Sequence, residues 1–312
     1  MSILLADVGG TNIRTAWTDD CESVKDASKS PASRYRDLIH ALSSRCELDN
    51  ISPESAVVAV AGPVRGDTIT FTNRDWTFSQ RDLKDALGLR ELLVVNDFSA
   101  VALSLPTWHA EDIDCIKHGA TLPNNPLLAL GPGTGLGVAA IVRRGNHWIP
   151  IAGEGGHCLA NVRDLIPAAA ERRLNQEGQL TWESMLSGPG IRNLHSALHS
   201  PQKNLPPEEI VGLAIVGDTD AISTLHFFSA LLGRRAADAA LLFGAWGGVF
   251  IAGDIVKAMG AQFDRAAFIK AFSANKNEFL NDVPVGLLKA EYPALKGLAQ
   301  AAGTLEQETH QS

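Results

Sequence analysis

Two short glycine-rich turns, each between apolar segments of strand length, constrain the fold of this chain more than any other feature. The first turn separates the predicted strands Ile3–Val8 and Asn12–Thr18. The second turn, Gly131–Gly135, separates the predicted strands Leu127–Leu130 and Leu136–Val142, about 125 residues further along the chain. A recurring strand, glycine turn and strand is what a duplicated domain would show, but a match this short is by itself weak evidence for one.

Length, charge and cysteine content exclude several classes of protein. The 312 residues fit two domains of roughly 150 residues each. With 27 basic against 35 acidic residues, the chain lacks the basic excess of a nucleic-acid surface. The long apolar stretch 236–251 is interrupted by Asp238 and by glycines, so we expect no membrane span of about 20 residues. The four cysteines lie far apart without a Cys-x-x-Cys pair, which favours a reduced cytoplasmic protein without zinc or disulfides.

Apolar periodicity and capping residues predict three helices. Apolar residues at three- and four-residue spacing predict a helix over Pro31–Ser43. A short helix is expected over Gln80–Leu87, with Ser79 as its N-cap, and a long apolar helix over Asp220–Phe243. Strands separated by helices in this order are typical of an α/β fold.

The first glycine turn belongs to the motif Asp7-Val8-Gly9-Gly10-Thr11-Asn12, in which a carboxylate closes a strand. The two glycines let backbone amides approach an anion closely, and Thr11 and Asn12 add hydrogen-bond donors. Asp7 can hold a hydrated Mg²⁺, which prefers one or two carboxylates together with phosphate oxygens. A plain hairpin with a Gly-Gly turn explains the same residues.

The second turn, in the motif Gly131–Gly137, resembles the first in its Gly-Thr content at Gly133, Thr134 and Gly135. Two such turns in two domains can grip one polyphosphate from both sides. Neither turn is a Walker A loop, because no Gly-Lys-Ser/Thr follows. Neither opens a helix, as the dinucleotide-binding fingerprint requires.

Three further segments carry features suited to a ligand site. Asn96 and Asp97 end a predicted strand beside a helix start, and a role of Asp97 as that helix's cap explains the same residues. Glu154 and His157 lie three residues apart in a glycine-dense loop, and both can exchange hydrogen bonds with the hydroxyls of a polyol. The segment Gly247–Asp254 predicts a buried strand between glycine turns, which fits under a flat ring such as adenine and equally in a sheet core.

Taken in order, these segments resemble the bacterial glucokinase family, a branch of the hexokinase, actin and Hsp70 fold class. The resemblance extends from Ile3 to about Gly303. The segments that carry it most specifically are Asp7–Asn12, Asn96–Phe98, Gly133–Gly137 and Gly153–His157. Further matches are Ala61–Val64, Thr72-Asn73, Trp76 and Leu186–Gly190.

The resemblance implies an α/β chain with a two-domain, actin-like ATPase fold of ribonuclease H-like topology, and a cleft between the domains. The smaller domain would comprise residues 1–106 and about 294–312, and the larger domain residues 107–293. The implied reaction transfers phosphate from ATP to the 6-hydroxyl of glucose, giving glucose 6-phosphate and ADP with Mg²⁺ as cofactor. A cytoplasmic homodimer is implied by the same resemblance.

The family's functional residues map onto positions of this sequence through the same resemblance. Asp97 corresponds to the catalytic base. The sugar-hydroxyl ligands fall on Asn96, Glu154, His157 and Glu183. Glu183 has no local signal of its own, because its segment looks like a helix that ends in a turn. The nucleotide-binding positions fall on Asp7, Gly9, Gly10, Thr11, Asn12, Gly133, Thr134 and Gly135, with Asp7 also as the Mg²⁺ ligand.

The chain departs from the related pattern at two points. No cysteine-rich zinc motif follows His157, so we expect no zinc. Asp254 stands where the family commonly has glycine; there it would cap the following helix or, beside the nucleotide, repel a phosphate. The alternatives are a kinase for another hexose or an amino sugar, a non-catalytic sugar sensor, and an actin- or chaperone-like ATPase. Asp97 and the Gly-Glu-Gly-Gly-His loop favour a sugar kinase.

Overall fold

The computed structural model describes residues 2–71, 75–120, 122–199, 205–275 and 277–309. Thr72 and Asn73, which contribute to the family resemblance, lie outside the described residues. No single helix of the described ranges has the length and hydropathy of a membrane span.

Strands and helices are interspersed along the chain. The strands are β1 (Ile3–Val8), β2 (Asn12–Thr18), β3 (Lys25–Pro31), β4 (Ser55–Val60), β5 (Thr68–Thr70), β6 (Thr77–Ser79), β7 (Glu91–Asn96), β8 (Ile113–Lys117), β9 (Leu127–Pro132), β10 (Leu136–Arg144), β11 (His147–Gly153), β12 (Gly248–Ile251) and β13 (Val285–Leu288). The helices are α1 (Leu38–Asp49), α2 (Gln80–Ala86), α3 (Asp97–Ser104), α4 (Ala168–Leu174), α5 (Gly188–Leu198), α6 (Pro207–Ile215), α7 (Thr219–Phe243), α8 (Asp254–Met259), α9 (Arg265–Phe272), α10 (Phe279–Asp282) and α11 (Pro293–Thr309).

The chain divides into two compact units. Unit 1 comprises Met1–Trp108, Trp148–Ala152 and Ala290–Ser312. Unit 2 comprises His109–His147 and Gly153–Lys289. Each unit is discontinuous in sequence, because the chain leaves unit 1 after Trp108 and returns to it twice, first with Trp148–Ala152 of β11 and then with α11.

The sheet of unit 1 has the strand order β3–β2–β1–β4–β7. β1 is antiparallel to β2 and parallel to β4, which is parallel to β7. Every residue of β1 is buried, as expected for a central strand covered on both faces. Helices α11 and α3 pack closely, and Gly297 lies so near the Ala100 carbonyl that a Cβ would not fit between them.

The second sheet repeats this arrangement with the order β11–β10–β9–β12–β13–β8. β9 is antiparallel to β10 and parallel to β12, which is parallel to β13, and β8 adds an antiparallel edge. The core of unit 2 includes Phe228 of α7 and Phe268 of α9, both fully buried. Both predicted glycine hairpins are therefore present, and in each sheet the first strand of the hairpin also pairs in parallel with a later strand of the chain.

Two of the three predicted helices are confirmed, and the limits of the third are wrong. α2 begins after Ser79, whose hydroxyl accepts from the Asp82 amide at 3.1 Å, and α7 spans the predicted long helix. The helix predicted over Pro31–Ser43 instead begins at Leu38, because Asp37 caps it by accepting from the His40 amide. The polar segment before it forms edge strand β3, which has little apolar periodicity to reveal it.

Candidate active site

The hairpin of unit 1 carries an ion pair beside its glycine turn. Asp7 on β1 and Arg14 on β2 are cross-strand partners, and Arg14 Nη1 donates to Asp7 Oδ2 at 3.0 Å. The turn itself is closed by the Gly9 amide, which donates to the Asn12 carbonyl at 3.0 Å. Gly10 is half-buried, and Thr11 lies exposed at the tip. The turn is therefore fixed in shape and accessible to a ligand, with one carboxylate and one guanidinium at its base.

Arg14 is a candidate functional residue that the sequence analysis did not select. A guanidinium beside an accessible glycine turn can stabilise negative charge on a phosphoryl group that binds there. The signal that would have found it is the hairpin register. Once Val8 and Ile13 are taken as the innermost pair, Asp7 must face Arg14 on the same side of the sheet.

Asn96 and Asp97 stand where β7 ends and α3 begins. Asn96 is the N-cap of α3, because its Oδ1 accepts from the amides of Phe98 (3.0 Å) and Ser99 (3.2 Å). Its Nδ2 donates to Asp97 Oδ1 at 3.0 Å and to the Gly62 carbonyl at 3.3 Å. Asn96 thus takes the capping role that the sequence also allowed for Asp97, and it orients the Asp97 carboxylate.

Asp97 is the first residue of α3, and its Oδ1 also accepts from the Phe98 amide at 2.8 Å. A carboxylate at this position is favoured in its ionised form by the positive end of the helix dipole. Val8, Val60 and Asn96 are register partners at the carboxyl ends of three adjacent parallel strands. The unit 1 hairpin turn and Asp97 therefore lie along one edge of the sheet, where ligands of α/β proteins commonly bind.

The glycine turn of unit 2 is braced by a carboxylate from a distant part of the chain. Glu183 Oε2 accepts from the Leu136 amide at 2.8 Å. A Cβ on Gly135 would lie 2.5 Å from the same oxygen, so only glycine leaves room for the Glu183 side chain. The Gly133 amide closes the turn onto the Gly135 carbonyl at 2.8 Å, and Gly188 of α5 donates to the Gly133 carbonyl at 2.9 Å. Thr134 lies exposed at the tip.

Glu183 also reaches the loop Gly153–His157, called here the sugar loop after the role that the family resemblance implies for it. Its Oε1 lies 4.0 Å from His157 Nδ1, and Glu154 Oε2 lies 3.9 Å from His157 Nε2. The Glu183 amide donates to the Gly156 carbonyl at 2.9 Å. The three side chains face one another at distances too long for good direct hydrogen bonds, and they are 33–59% exposed. This spacing leaves polar atoms available to ligand hydroxyl groups.

The glycine turn after β12 lies against the second hairpin. A Cβ on Gly253 would be 2.5 Å from the Pro132 carbonyl oxygen, and Gly253 has the positive φ of 119° that glycine tolerates. Gly253 occupies the N-cap position of α8 and Asp254 is the first helical residue. The expectation that Asp254 caps this helix is therefore wrong, because the backbone turns one residue earlier. The Asp254 side chain is exposed at the helix start.

The donor set bears on which cations the site can take. Among the described residues, no group of three or more His, Cys, Asp or Glu side chains is arranged to hold a metal ion. Asp7 alone offers a carboxylate at the turn of unit 1, which suits Mg²⁺ when phosphate oxygens and water complete its coordination.

Repeated ribonuclease H-like sheets, two glycine turns and an exposed group of facing polar side chains are the features expected of a sugar kinase of the actin-like fold class. A solved glucokinase from an Antarctic psychrotroph superimposes with a TM-score of 0.84 and 33% identity, covering 97% of this chain and 99% of that one. A ROK-family glucokinase from Streptomyces griseus, solved with glucose and AMPPNP, shares the fold with a TM-score of 0.69 at 20% identity, covering 97% of this chain and 100% of that chain.

Sequence relatives agree with the fold. The glucokinase of Aromatoleum aromaticum is 37% identical, covering 96% of this chain and 93% of that protein. The glucokinase of Chromobacterium violaceum is also 37% identical, covering 95% and 88%. The family model for glucokinase matches residues 4–305. The chain therefore belongs to the glucokinase family, and it is an enzyme of ATP-dependent glucose phosphorylation.

Proposed function

We propose that the described side chains carry out transfer of the ATP γ-phosphoryl group to the 6-hydroxyl of glucose, with Asp97 as the general base. The observation that carries the proposal is the double contact of Glu183. One of its oxygens braces the Gly133–Gly135 turn and the other faces His157 of the sugar loop. A phosphate-contacting turn and a polyol-binding loop are thereby tied together by a single carboxylate.

Glu154, His157 and Glu183 bind the sugar hydroxyls. The gaps of 3.9 and 4.0 Å between their polar atoms allow hydroxyl groups to bridge them. Carboxylates accept hydrogen bonds from hydroxyls, and an imidazole can donate with one nitrogen and accept with the other. The family resemblance places Asn96 among the sugar ligands as well. Its hydrogen bonds to Phe98, Ser99, Asp97 and Gly62 support a positioning role toward Asp97 instead.

Asp97 accepts the proton of the glucose 6-hydroxyl while the oxygen of that hydroxyl forms the bond to the γ-phosphorus. The bond between that phosphorus and the bridging oxygen of ATP breaks, and ADP leaves with the bonding electron pair. General-base assistance is typically worth about 10²–10⁴-fold in rate. The hydrogen bonds from Asn96 and Phe98 support this role, because they fix the carboxylate before the sugar arrives.

The two glycine turns contact the phosphates through backbone amides and through Thr11 and Thr134. Arg14 supplies a positive charge beside the first turn. Mg²⁺ would be held by Asp7 together with phosphate oxygens, and it neutralises phosphate charge when bound. By family resemblance the enzyme is a cytoplasmic homodimer.

The test is an ADP-release assay with Mg·ATP and a panel of glucose, mannose, fructose, glucosamine and N-acetylated sugars. We expect kcat/KM to be highest for glucose. A higher value for another sugar would reassign the substrate to a different hexose or an amino sugar. If no sugar is phosphorylated although glucose binds in calorimetry, the protein is a sugar sensor, and the proposed chemistry is wrong.

A further inference from the structure

Arg235 is a buried cation on α7. Its residue is 4% exposed, and the helix around it is formed largely by buried alanines such as Ala236 and Ala237. Arginine is rarely buried to this extent unless it has a specific partner. Arg235 lies far along the chain from the sugar loop, and neither the motifs nor the family resemblance selected it.

The partner of Arg235 is the backbone of the sugar loop. Arg235 Nη2 donates to the Gly155 carbonyl at 3.2 Å. A Cβ on Gly155 would lie 2.6 Å from the same nitrogen and 3.1 Å from the Val138 side chain. Gly155 is therefore held closely between the guanidinium on one side and β10 on the other, so the loop cannot settle inward without displacing one of them.

The surroundings of Arg235 do not favour its charge. Burial lowers the pKa of the guanidinium below its ordinary value, while the nearby carboxylate of Asp238 opposes this shift. Its Nε is buried and has no hydrogen-bond partner among the residues that the structure describes. A buried charge with an unsatisfied donor is weak evidence for a stabilising role, and the contact of Arg235 with Gly155 points to a role in the loop.

We propose that Arg235 is a positioning residue for sugar binding, which fixes the Gly155 carbonyl and thereby the side chains of Glu154 and His157 on either side. This inference rests on the proposed function of those two residues as sugar ligands. The backbone link is short, because the Glu154 carbonyl accepts from the His157 amide at 3.1 Å in the same turn. Moving Gly155 must therefore reorient both side chains.

The test compares Arg235→Met with Arg234→Met. Arg234 is the preceding residue on α7, but it pairs at the surface with Asp164 at 2.6 Å. We expect Arg235→Met to raise the glucose KM and the calorimetric glucose Kd about tenfold, roughly the effect of 1.4 kcal/mol. The KM for ATP and kcat should change less than twofold, and Arg234→Met should resemble the wild type in all four values.

Two further variants keep the inference testable if Arg235→Met fails to fold. Arg235→Lys retains the charge and a donor, so it should recover part of the lost glucose affinity. Gly155→Ala places a methyl group against Nη2 of Arg235, so it should raise the glucose KM while the residue at position 235 stays arginine. Thermal unfolding identifies variants that are merely destabilised.

Three results would overturn the inference: an unchanged glucose KM in Arg235→Met, an equal rise in the KM values of both substrates, or no difference between the Lys and Met variants. These results differ from a failure of the proposed function, in which the wild-type protein itself would not bind or phosphorylate glucose.

Discussion

The hairpins β1–β2 and β9–β10 have the same antiparallel pairing but support their glycine turns differently. In unit 1 the pair next to the innermost one is Asp7 and Arg14, so charge is built into the hairpin. In unit 2 the corresponding pair is Gly131 and Gly137, and the carboxylate comes from Glu183, which lies 47 residues beyond Leu136. The side chain that supports the turn is thus on the hairpin itself in unit 1, whereas in unit 2 it comes from a residue distant in sequence.

This difference predicts two kinds of mutational response. Changes at Asp7 should act on the nucleotide side alone, because Asp7 contacts its own hairpin. Changes at Glu183 should act on both substrates, because Glu183 contacts the glycine turn and faces the sugar loop. Three variants test this contrast, and they are ordered by expected effect.

Asp7→Asn should produce the largest effect of the three. It removes the charge that pairs with Arg14 and that would hold Mg²⁺, and a hydrogen bond to a charged group contributes about 1.5–3 kcal/mol. We expect kcat/KM for Mg·ATP to fall about 10- to 100-fold. The Mg²⁺ concentration for half-maximal rate should rise in a metal titration.

Asp19→Asn is the matched control for Asp7→Asn. Asp19 follows β2 and pairs with Lys25 at 2.8 Å, with both side chains over 40% exposed. Its removal should leave the Mg²⁺ titration unchanged. Equal losses of kcat/KM for Mg·ATP in the Asp7 and Asp19 variants would show that Asp7 contributes only negative charge to the protein and not a specific Mg²⁺ ligand.

Glu183→Gln should raise the KM values of glucose and ATP together, each about tenfold, since a neutral acceptor replaces a charged one. Initial rates measured with each substrate varied in turn give both constants. Glu154→Gln serves as the comparison, because Glu154 faces only His157 among these groups and should raise the glucose KM alone. An effect of Glu183→Gln on glucose alone would break the link between the turn and the sugar loop.

Gly135→Ala should have a smaller effect of several-fold on the ATP KM. The added methyl group meets the flexible end of Glu183, which must rotate away from the Leu136 amide. Gly133→Ala is its control, because a Cβ there has no neighbour closer than the Gly135 carbonyl oxygen at 4.0 Å. Similar ATP KM values in both variants would remove Glu183 from the support of this turn.

The sequence predicts best what is encoded by neighbouring residues. The limits of β1 and β2 follow from their apolar runs and the glycine turn between them, and Ser79 marks the start of α2. Family resemblance, rather than local pattern, selected Glu183. The hydrogen bond from the Leu136 amide to the Glu183 side chain could not be predicted, because this contact depends on how a loop folds back against β10.

The remaining errors have local physical causes. Strand β3 is polar and exposed, so edge pairing rather than periodicity forms it. At α3 and α8 the backbone enters the helix one residue earlier than expected, which gives the N-cap positions to Asn96 and Gly253. Arg235 was missed because an arginine within a helical apolar run gives no sign of the loop that it contacts.

The role of Asp97 is tested most directly by measuring glucose affinity and single-turnover phosphoryl transfer in Asp97→Asn. Asparagine keeps the shape of the side chain and a hydrogen-bond acceptor, but it cannot take the proton of the 6-hydroxyl. We expect the glucose Kd to stay within about threefold of the wild type while the transfer rate falls about 10²–10⁴-fold. A transfer rate close to that of the wild type would contradict the assignment of Asp97 as the general base.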